Sequence, residues 1–194
     1  FHDYMGHINK FKPDYVKVLI FLNSETKISN VITLRNLKVL YDHLKKAKKK
    51  LLVEVLITPT PQQLKKYGKD FFDRNIRPKH TLWAVSEIYR MKIYPYIWKL
   101  EGYYNRSNVK KVSRAVKGTK IVILGRSESM SQVLEWIRIG AKTKNVIGFA
   151  VGRTIFIDAI KAYYNKRISK AQVIDIIARR YKKIADFYLK QKYQ

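Results

Sequence analysis

Four charged residues interrupt three apolar runs of the sequence, and their types could carry out carbonyl chemistry. Lys17 lies within DYVKVLIF, Glu54 lies within LLVEVLI, and Lys99 and Glu101 both lie within YIWKLEG. A charged side chain inside an apolar run is costly unless it is paired or faces a polar cavity. Residues two apart in a strand share a face, so Lys99 and Glu101 are expected to point the same way.

Two lysines and a glutamate that face one cavity would partly neutralise one another and could form an amine catalyst. Burial and a neighbouring cation both favour the neutral amine of a lysine, which is the nucleophile that forms a Schiff base with a ketone. Glu54 could then move protons between the carbinolamine, the imine and the substrate hydroxyl. Two alternatives involve no chemistry: a lysine–glutamate pair that only holds a sheet together, and an edge strand that leaves Lys99 in solvent.

Two later apolar runs end in glycine followed by arginine, a pattern that suits an anion. These are Gly125-Arg126 after KIVIL and Gly152-Arg153 after NVIGFAV. Glycine allows an anion to approach the backbone, the helix that follows offers free N–H groups, and arginine adds bidentate donors. The repeated pattern therefore predicts a phosphate site.

The order of elements along the chain predicts strands that alternate with helices through five strands. Such alternation favours a parallel sheet covered by helices, either doubly wound or a (βα)8 barrel. The predicted strands are 14–21, 51–57, 96–102, 120–124 and 145–151. The predicted helices are 3–11, 31–49 with Asn30 as the N-cap, 62–67, 77–91, 105 or 107 to about 118, 129–143, 154–165 and 169–191.

The composition is strongly basic, with 41 lysines and arginines against 14 acidic residues and a net charge of +27. This charge is expected of a protein that binds nucleic acid or another polyanion, although a general bias towards lysine would also produce it. The chain has no cysteine, which excludes disulfides and thiolate metal sites and fits a reducing compartment. No apolar run approaches the ~20 residues that span a bilayer. The histidines show no ligand spacing, so no metal is expected.

Six segments of the sequence together resemble one enzyme family: KPDYVKVLIFLN, LLVEVLITPTPQQL, IRPKHTLWAVSEI, IWKLEG, IVILGR and IGFAVGRTIFIDAIKAY. They resemble the class I aldolase domain of myo-inositol catabolism, 5-dehydro-2-deoxyphosphogluconate aldolase, which is often fused to 5-dehydro-2-deoxygluconokinase. That domain is related to the tagatose-1,6-bisphosphate aldolases. The resemblance covers nearly the whole chain.

The resemblance implies a (βα)8 barrel and a lyase that works through a Schiff base without a cofactor. By the family motif, Lys99 would form the Schiff base, Glu54 would act as the acid and base, and Lys17 would assist as a neighbouring charge. Residues 1–194 would form one barrel domain that contains about the last five βα units, with the amino-terminal strands missing.

The resemblance also implies a substrate and a setting for the enzyme. The substrate would be a phosphorylated keto sugar acid such as 5-dehydro-2-deoxy-6-phosphogluconate, cleaved to dihydroxyacetone phosphate and malonate semialdehyde in the cytoplasm. The substrate would contact five residues: Glu101, Gly125, Arg126, Gly152 and Arg153. Other partners would be copies of the chain or a chain that supplies the missing strands. The alternative is a non-catalytic, aldolase-like protein that binds RNA or another polyanion through its lysines.

Overall fold

The computed structural model describes residues 3–194 and shows strands alternating with helices. The strands are β1 (Tyr15–Leu22), β2 (Lys50–Ile57), β3 (Ile97–Glu101), β4 (Lys120–Leu124) and β5 (Val146–Ala150). The helices are α1 (Tyr4–Phe11), α2 (Lys27–Lys46), α3 (Pro61–Tyr67), α4 (Lys69–Phe71) continued by a π-helical segment (Phe72–Ile76), α5 (Arg77–Arg90), α6 (Arg106–Ala115), α7 (Met130–Gly140), α8 (Arg153–Tyr164) and α9 (Lys170–Tyr193). Every predicted strand is present, with its ends within one or two residues of the prediction.

The strands form one five-stranded sheet in chain order. β1 pairs in parallel with β2 from Tyr15 opposite Lys50 to Leu22 opposite Ile57, and β2 pairs in parallel with β3. β4 and β5 are also parallel, with a register shift after Ile121. These near-continuous apolar strands suit a sheet that is covered on both faces. The prediction of an α/β fold with parallel strands of barrel type is confirmed.

The chain divides into two compact units. The first contains the described residues up to Leu100 together with Lys111–Lys120, and the second contains Glu101–Lys110 and Ile121–Gln194. In the first unit the core consists of alternate β2 residues and the inner faces of α2 and α5. Fully buried members of this core are Val53, Val55, Ile57, Leu37, Leu44 and Ile88.

The core of the second unit centres on Trp136 of α7, whose side chain is fully buried. Gly102 lies so close to this ring that an added Cβ atom would stand 2.2 Å from the Cγ atom of Trp136. Ile137, Val146 and Ile184 complete the buried centre of this unit. Gly102 is therefore required by packing.

The start of α2 differs from the prediction, because Asn30 is not its N-cap. The helix begins at Lys27 and Thr26 occupies the N-cap position. Asn30 is instead buried within α2, where its Nδ2 atom donates to the carbonyl of Asn23 and its Oδ1 atom accepts from the N–H of Asn23. The asparagine was misassigned because its side chain bonds to the end of β1 and not to its own helix.

Four helix-to-strand turns of the first unit place an exposed lysine in the left-handed conformation. These residues, here called the turn lysines, are Lys12, Lys48, Lys92 and Lys117, with φ angles of 43, 54, 58 and 52°. The conformation costs a residue with a Cβ atom ~1–2 kcal/mol and is usually taken by glycine. A cation at the carboxyl end of a helix regains only ~0.3–1 kcal/mol from the helix dipole. The turn lysines are therefore not explained by local stability.

Among the described residues, no helix combines the length and the apolar character that crossing a membrane requires.

Candidate functional site

Lys17, Glu54 and Lys99 meet on three adjacent strands of the first unit. Glu54 of β2 stands opposite Leu19 of β1 and Lys99 of β3, so its side chain shares a face with both neighbours. The Nζ atom of Lys17 donates to Oε2 of Glu54 over 3.0 Å. The Nζ atom of Lys99 lies 2.9 Å from Oε1 of the same carboxylate. Both oxygens of Glu54 therefore bind a lysine, and the three charged side chains lie together.

The three side chains differ in their access to water. The side chains of Glu54 and Lys99 are 12% and 19% exposed, whereas that of Lys17 is 48% exposed. The Lys99–Glu54 pair is thus largely shielded, which strengthens its electrostatic interaction. Lys17 contacts Glu54 from the more solvated side, so water and salt screen the Lys17–Glu54 interaction and weaken it.

The two lysines set the protonation state of Glu54. Burial by itself would raise the pKa of the Glu54 carboxyl, but the hydrogen bonds and positive charges of Lys99 and Lys17 outweigh burial. The pKa of Glu54 therefore lies below its ordinary value, and the carboxyl is ionised at neutral pH. An ionised carboxylate at hydrogen-bond distance from both amines can accept a proton from either one. The group has the parts of an amine nucleophile with an adjacent base.

A second charged pair, in the second unit, joins two residues that the sequence analysis assigned to substrate binding. The Nη1 atom of Arg126 lies 3.0 Å from Oε1 of Glu101, and the two side chains are 19% and 2% exposed. Glu101 is the last residue of β3, and Arg126 follows the end of β4. Because the carboxylate is almost fully buried, the pair fixes the direction of the guanidinium group.

The turn that carries Arg126 is strained. Arg126 and Ser127 both have positive φ angles, 49 and 61°. The N–H of Glu128 donates to the carbonyl of Gly125 over 2.9 Å, which closes a turn of the I′ kind. Each non-glycine residue in this conformation costs ~1–3 kcal/mol, and such strain is concentrated at binding and catalytic sites. Gly125 is required here, since an added Cβ atom would stand 2.8 Å from a methyl group of Val151.

The second Gly-Arg pair lies at the start of α8, also in the second unit. Arg153 is the first residue of the helix, is exposed, and follows Gly152 directly. The carbonyl of Gly152 accepts from the N–H of Ile155 over 2.7 Å. The hydroxyl of Thr154 donates to the carbonyl of Glu128 over 2.7 Å and ties the helix start to the turn after β4. The sequence analysis did not identify Thr154.

A buried polar network at the carboxyl ends of β1 and β2 was also missed. Asn23 Nδ2 donates to Oε1 of Gln63 over 2.6 Å and to the carbonyl of Thr58 over 2.8 Å. The N–H of Ser24 donates to Nδ1 of His80 over 3.2 Å. Burial lowers the pKa of His80, and the charge of Glu25 raises it by less, so the imidazole is held neutral.

This network fixes the loops that follow β1 and β2. Asn23 and Gln63 are 2% exposed and His80 is 7% exposed, so their polar atoms rely on one another. The sequence signal was a pair of strand ends rich in amide and hydroxyl side chains, FLNSET and TPTPQQ. Because such residues are common in solvated loops, their burial could not be deduced from the sequence.

Among residues 3–194, no three histidine or carboxylate side chains come together as metal ligands. His2 lies outside the described residues.

The structure is similar to fructose-bisphosphate aldolases. An aldolase from Plasmodium falciparum, solved with TRAP and a small-molecule inhibitor, aligns with a TM-score of 0.62 and 12% identity over 93% of this chain and 57% of its own. The fructose-bisphosphate aldolase from Slackia heliotrinireducens DSM 20476 aligns with a TM-score of 0.55 and 17% identity over 92% of this chain and 58% of its own. A Schiff base forming fructose-1,6-bisphosphate aldolase aligns with a TM-score of 0.59 and 10% identity over 93% of this chain and 62% of its own. At these identities the similarity shows the fold alone.

The chain spans about three fifths of the length of these aldolases. None of the curated proteins matches its sequence at a significant level. A family model does match: it covers residues 8–192 and is described as an uncharacterized protein conserved in bacteria, DUF2090. The chain therefore belongs to the DUF2090 family.

Proposed function

We propose that the chain acts as a class I aldolase, a lyase that cleaves carbon–carbon bonds through a Schiff base on Lys99. The observation that carries the proposal is the Glu54 carboxylate, which contacts Lys17 and Lys99 at 3.0 and 2.9 Å from the strand between them. The similarity in fold to Schiff-base aldolases supports the assignment. Lys99 is the better candidate for the nucleophile, because it is more shielded from water than Lys17.

The first half of the reaction builds the imine. Glu54 accepts a proton from the ammonium of Lys99, and the resulting amine attacks the carbonyl carbon of a ketone. The carbonyl oxygen takes up a proton from the attacking nitrogen and becomes the hydroxyl of a carbinolamine. Glu54 then returns its proton to this hydroxyl, which leaves as water, and the nitrogen lone pair forms the protonated imine.

The second half cleaves the substrate. Glu54, ionised again, removes the proton of the substrate hydroxyl on the far carbon of the bond to be broken, the one that does not carry the imine side of the substrate. The new carbonyl forms as the carbon–carbon bond breaks, and the electron pair moves into the protonated imine to give an enamine. Once the aldehyde leaves, the enamine carbon takes a proton and water releases the ketone from Lys99. The positive charge of Lys17 stabilises the oxygen anions that form along this path.

The substrate we propose is a phosphorylated keto sugar acid. The resemblance of the sequence to the myo-inositol enzymes supports 5-dehydro-2-deoxy-6-phosphogluconate, with dihydroxyacetone phosphate and malonate semialdehyde as products. Gly152 and Arg153 would bind the phosphate through the start of α8 and the exposed guanidinium. Arg126, aimed by the buried Glu101, would bind a second anionic group beside Gly125.

Borohydride trapping tests the proposal directly. The complete natural polypeptide is incubated with dihydroxyacetone phosphate and sodium borohydride, and the reduced adduct is located by peptide mass spectrometry. We expect one adduct, on Lys99, and none in the Lys99→Met variant. Lys183→Met, which removes an exposed lysine of α9, is the matched control and should trap at the wild-type rate.

Two further variants separate the roles of the other residues. Lys17→Met should trap about tenfold more slowly, which corresponds to ~1.4 kcal/mol of barrier. Arg153→Ala should leave the maximal rate unchanged and raise the ketone concentration needed to reach half of it. An adduct on Lys17 would reverse the roles of the two lysines. Absence of an adduct on either lysine would refute the aldolase assignment.

A further inference from the structure

Lysines and tyrosines alternate along the amino-terminal edge of the sheet in the first unit. Tyr15 begins β1, Lys50 begins β2, Tyr96 precedes β3 and Lys120 begins β4. We call these four residues the lysine–tyrosine edge. The Nζ atom of Lys50 lies 4.8 Å from the ring centre of Tyr96 and 5.7 Å from that of Tyr15. The Nζ atom of Lys120 lies 5.4 Å from the ring centre of Tyr96.

The two tyrosine rings of the edge lie next to each other, and Tyr96 is exposed whereas Tyr15 is half-buried. Their centres are 5.7 Å apart and the ring planes are inclined by 46°. Tyr96 is 44% exposed, and its neighbour Tyr94 is 57% exposed. Aromatic rings of this exposure offer faces on which another flat ring can stack.

The turn lysines add to the positive charge at the same edge. All four precede the strands that begin there, and Lys117 also lies 5.2 Å from the ring centre of Tyr89. Among the described residues, the turns that contain them include a single acidic residue, Asp14. The edge thus presents a row of ammonium groups around the exposed Tyr96 and the half-buried Tyr15, and local backbone stability does not account for the lysines.

We propose that the lysine–tyrosine edge and the turn lysines bind single-stranded nucleic acid. Lysines spaced along a strand start can follow the phosphates, while the tyrosine faces take unstacked bases. A duplex hides the base faces, and an acidic polypeptide has no flat rings to place on the tyrosines, so both fit this surface less well. The proposed binding surface lies at the amino-terminal ends of the strands, opposite the Asn23–Gln63–His80 network, and binding there does not depend on the aldol reaction.

The affinity of the complete chain is measured by fluorescence anisotropy with a labelled 20-nucleotide poly-U and with an RNA duplex of equal length, at several salt concentrations. We expect tighter binding to the single strand. If all six lysines of the edge and the turns contact phosphates, the logarithm of the affinity should fall with the logarithm of the salt concentration with a slope of about −4.

Two pairs of substitutions distinguish stacking from charge. Tyr15→Ala with Tyr96→Ala should weaken binding to poly-U about 30-fold or more at an unchanged salt slope, and Tyr15→Phe with Tyr96→Phe should bind as the wild type does. Lys50→Gln with Lys120→Gln should flatten the slope by about 1.4. The control pair, Lys183→Gln with Lys190→Gln on α9, removes the same charge elsewhere.

Four results would overturn the proposal. The first is equal loss of affinity in the lysine pair and the control pair, which would mean that only net charge matters. The second is wild-type affinity in the tyrosine-to-alanine pair. The third is binding of the duplex as tightly as of the single strand. The fourth is displacement of poly-U by polyglutamate of equal charge as effectively as by unlabelled poly-U. Because the lysine pair leaves the rings intact, a failure of the alanine pair to fold would not remove the test.

Discussion

Replacing Glu54 with glutamine leaves the ammonium groups of Lys17 and Lys99 without the carboxylate that separates them. The shielded bond to Lys99, at 2.9 Å, is a charge-assisted hydrogen bond worth ~1.5–3 kcal/mol. The bond to the half-exposed Lys17 adds at most ~1 kcal/mol. The amide oxygen of glutamine can still accept one hydrogen bond and recovers ~1 kcal/mol. The variant should therefore be about 2 kcal/mol less stable at pH 7, with a Tm ~4–8 °C lower.

Acid should remove this difference, because the pKa of Glu54 is lowered in the folded protein. A carboxyl of this kind contributes stability above its ordinary pKa of 4.5 and loses the contribution as the pH falls through the lowered folded value. Thermal and urea unfolding followed by circular dichroism at pH 7 and near pH 3 would measure both effects. The gap in unfolding free energy between the wild type and Glu54→Gln should narrow at the lower pH.

Glu135→Gln provides the control for this experiment. Glu135 also pairs with a cation, since its Oε1 atom lies 2.6 Å from Nη2 of Arg138, but the two side chains are 41% and 51% exposed. Its loss should cost less than ~1 kcal/mol. Equal destabilisation by the two substitutions, or a Glu54→Gln gap that persists near pH 3, would show that shielding does not strengthen the lysine–glutamate group.

Two further outcomes follow from packing and burial. Gly102→Ala should lower the unfolding free energy by ~3 kcal/mol or more in urea titrations, because its Cβ atom would stand 2.2 Å from the Cγ atom of the buried Trp136. Wild-type stability of this variant would show that the surrounding side chains move to make room for the methyl group. His80 has a lowered pKa in the folded protein, so the unfolded chain binds more protons and the wild type should lose stability as the pH falls below ~6.5. His80→Asn, whose amide oxygen can accept from the N–H of Ser24, should flatten this pH dependence between pH 7 and 5, and an unchanged slope would assign it to other groups.

The strands and the Lys17–Glu54–Lys99 group could be predicted from the sequence because their signals are local. An apolar run with one charge identifies a strand and the side chain that must find a partner. Parallel pairing of successive strands then brings those side chains to one face, as the 3.0 and 2.9 Å contacts show. The register itself came only from the structure.

Other features depend on contacts between residues that are distant in the sequence, so no local sequence pattern predicts them. Asn30 has the type of an N-cap, and only its bonds to Asn23 show otherwise. Glu101 and Arg126 were both expected to face a ligand, but nothing in their spacing indicated that they bind each other. Lysine rarely adopts a left-handed conformation, so the conformation of the turn lysines could not be deduced from residue type.

The order of the strands in the sheet also bears on how the chain can fold during synthesis. Each strand after β1 pairs with the strand made just before it. Tyr15 of β1 aligns with Lys50 of β2, Glu54 of β2 with Lys99 of β3, and Ile121 of β4 with Val146 of β5. Among the strands of residues 3–194, none must wait for a partner from a distant part of the chain. The sheet can thus extend one strand at a time behind the ribosome, which adds 5–20 residues per second. Each new strand covers the edge left by the strand before it, so the growing edge of the sheet is exposed to aggregation only until the next strand is made.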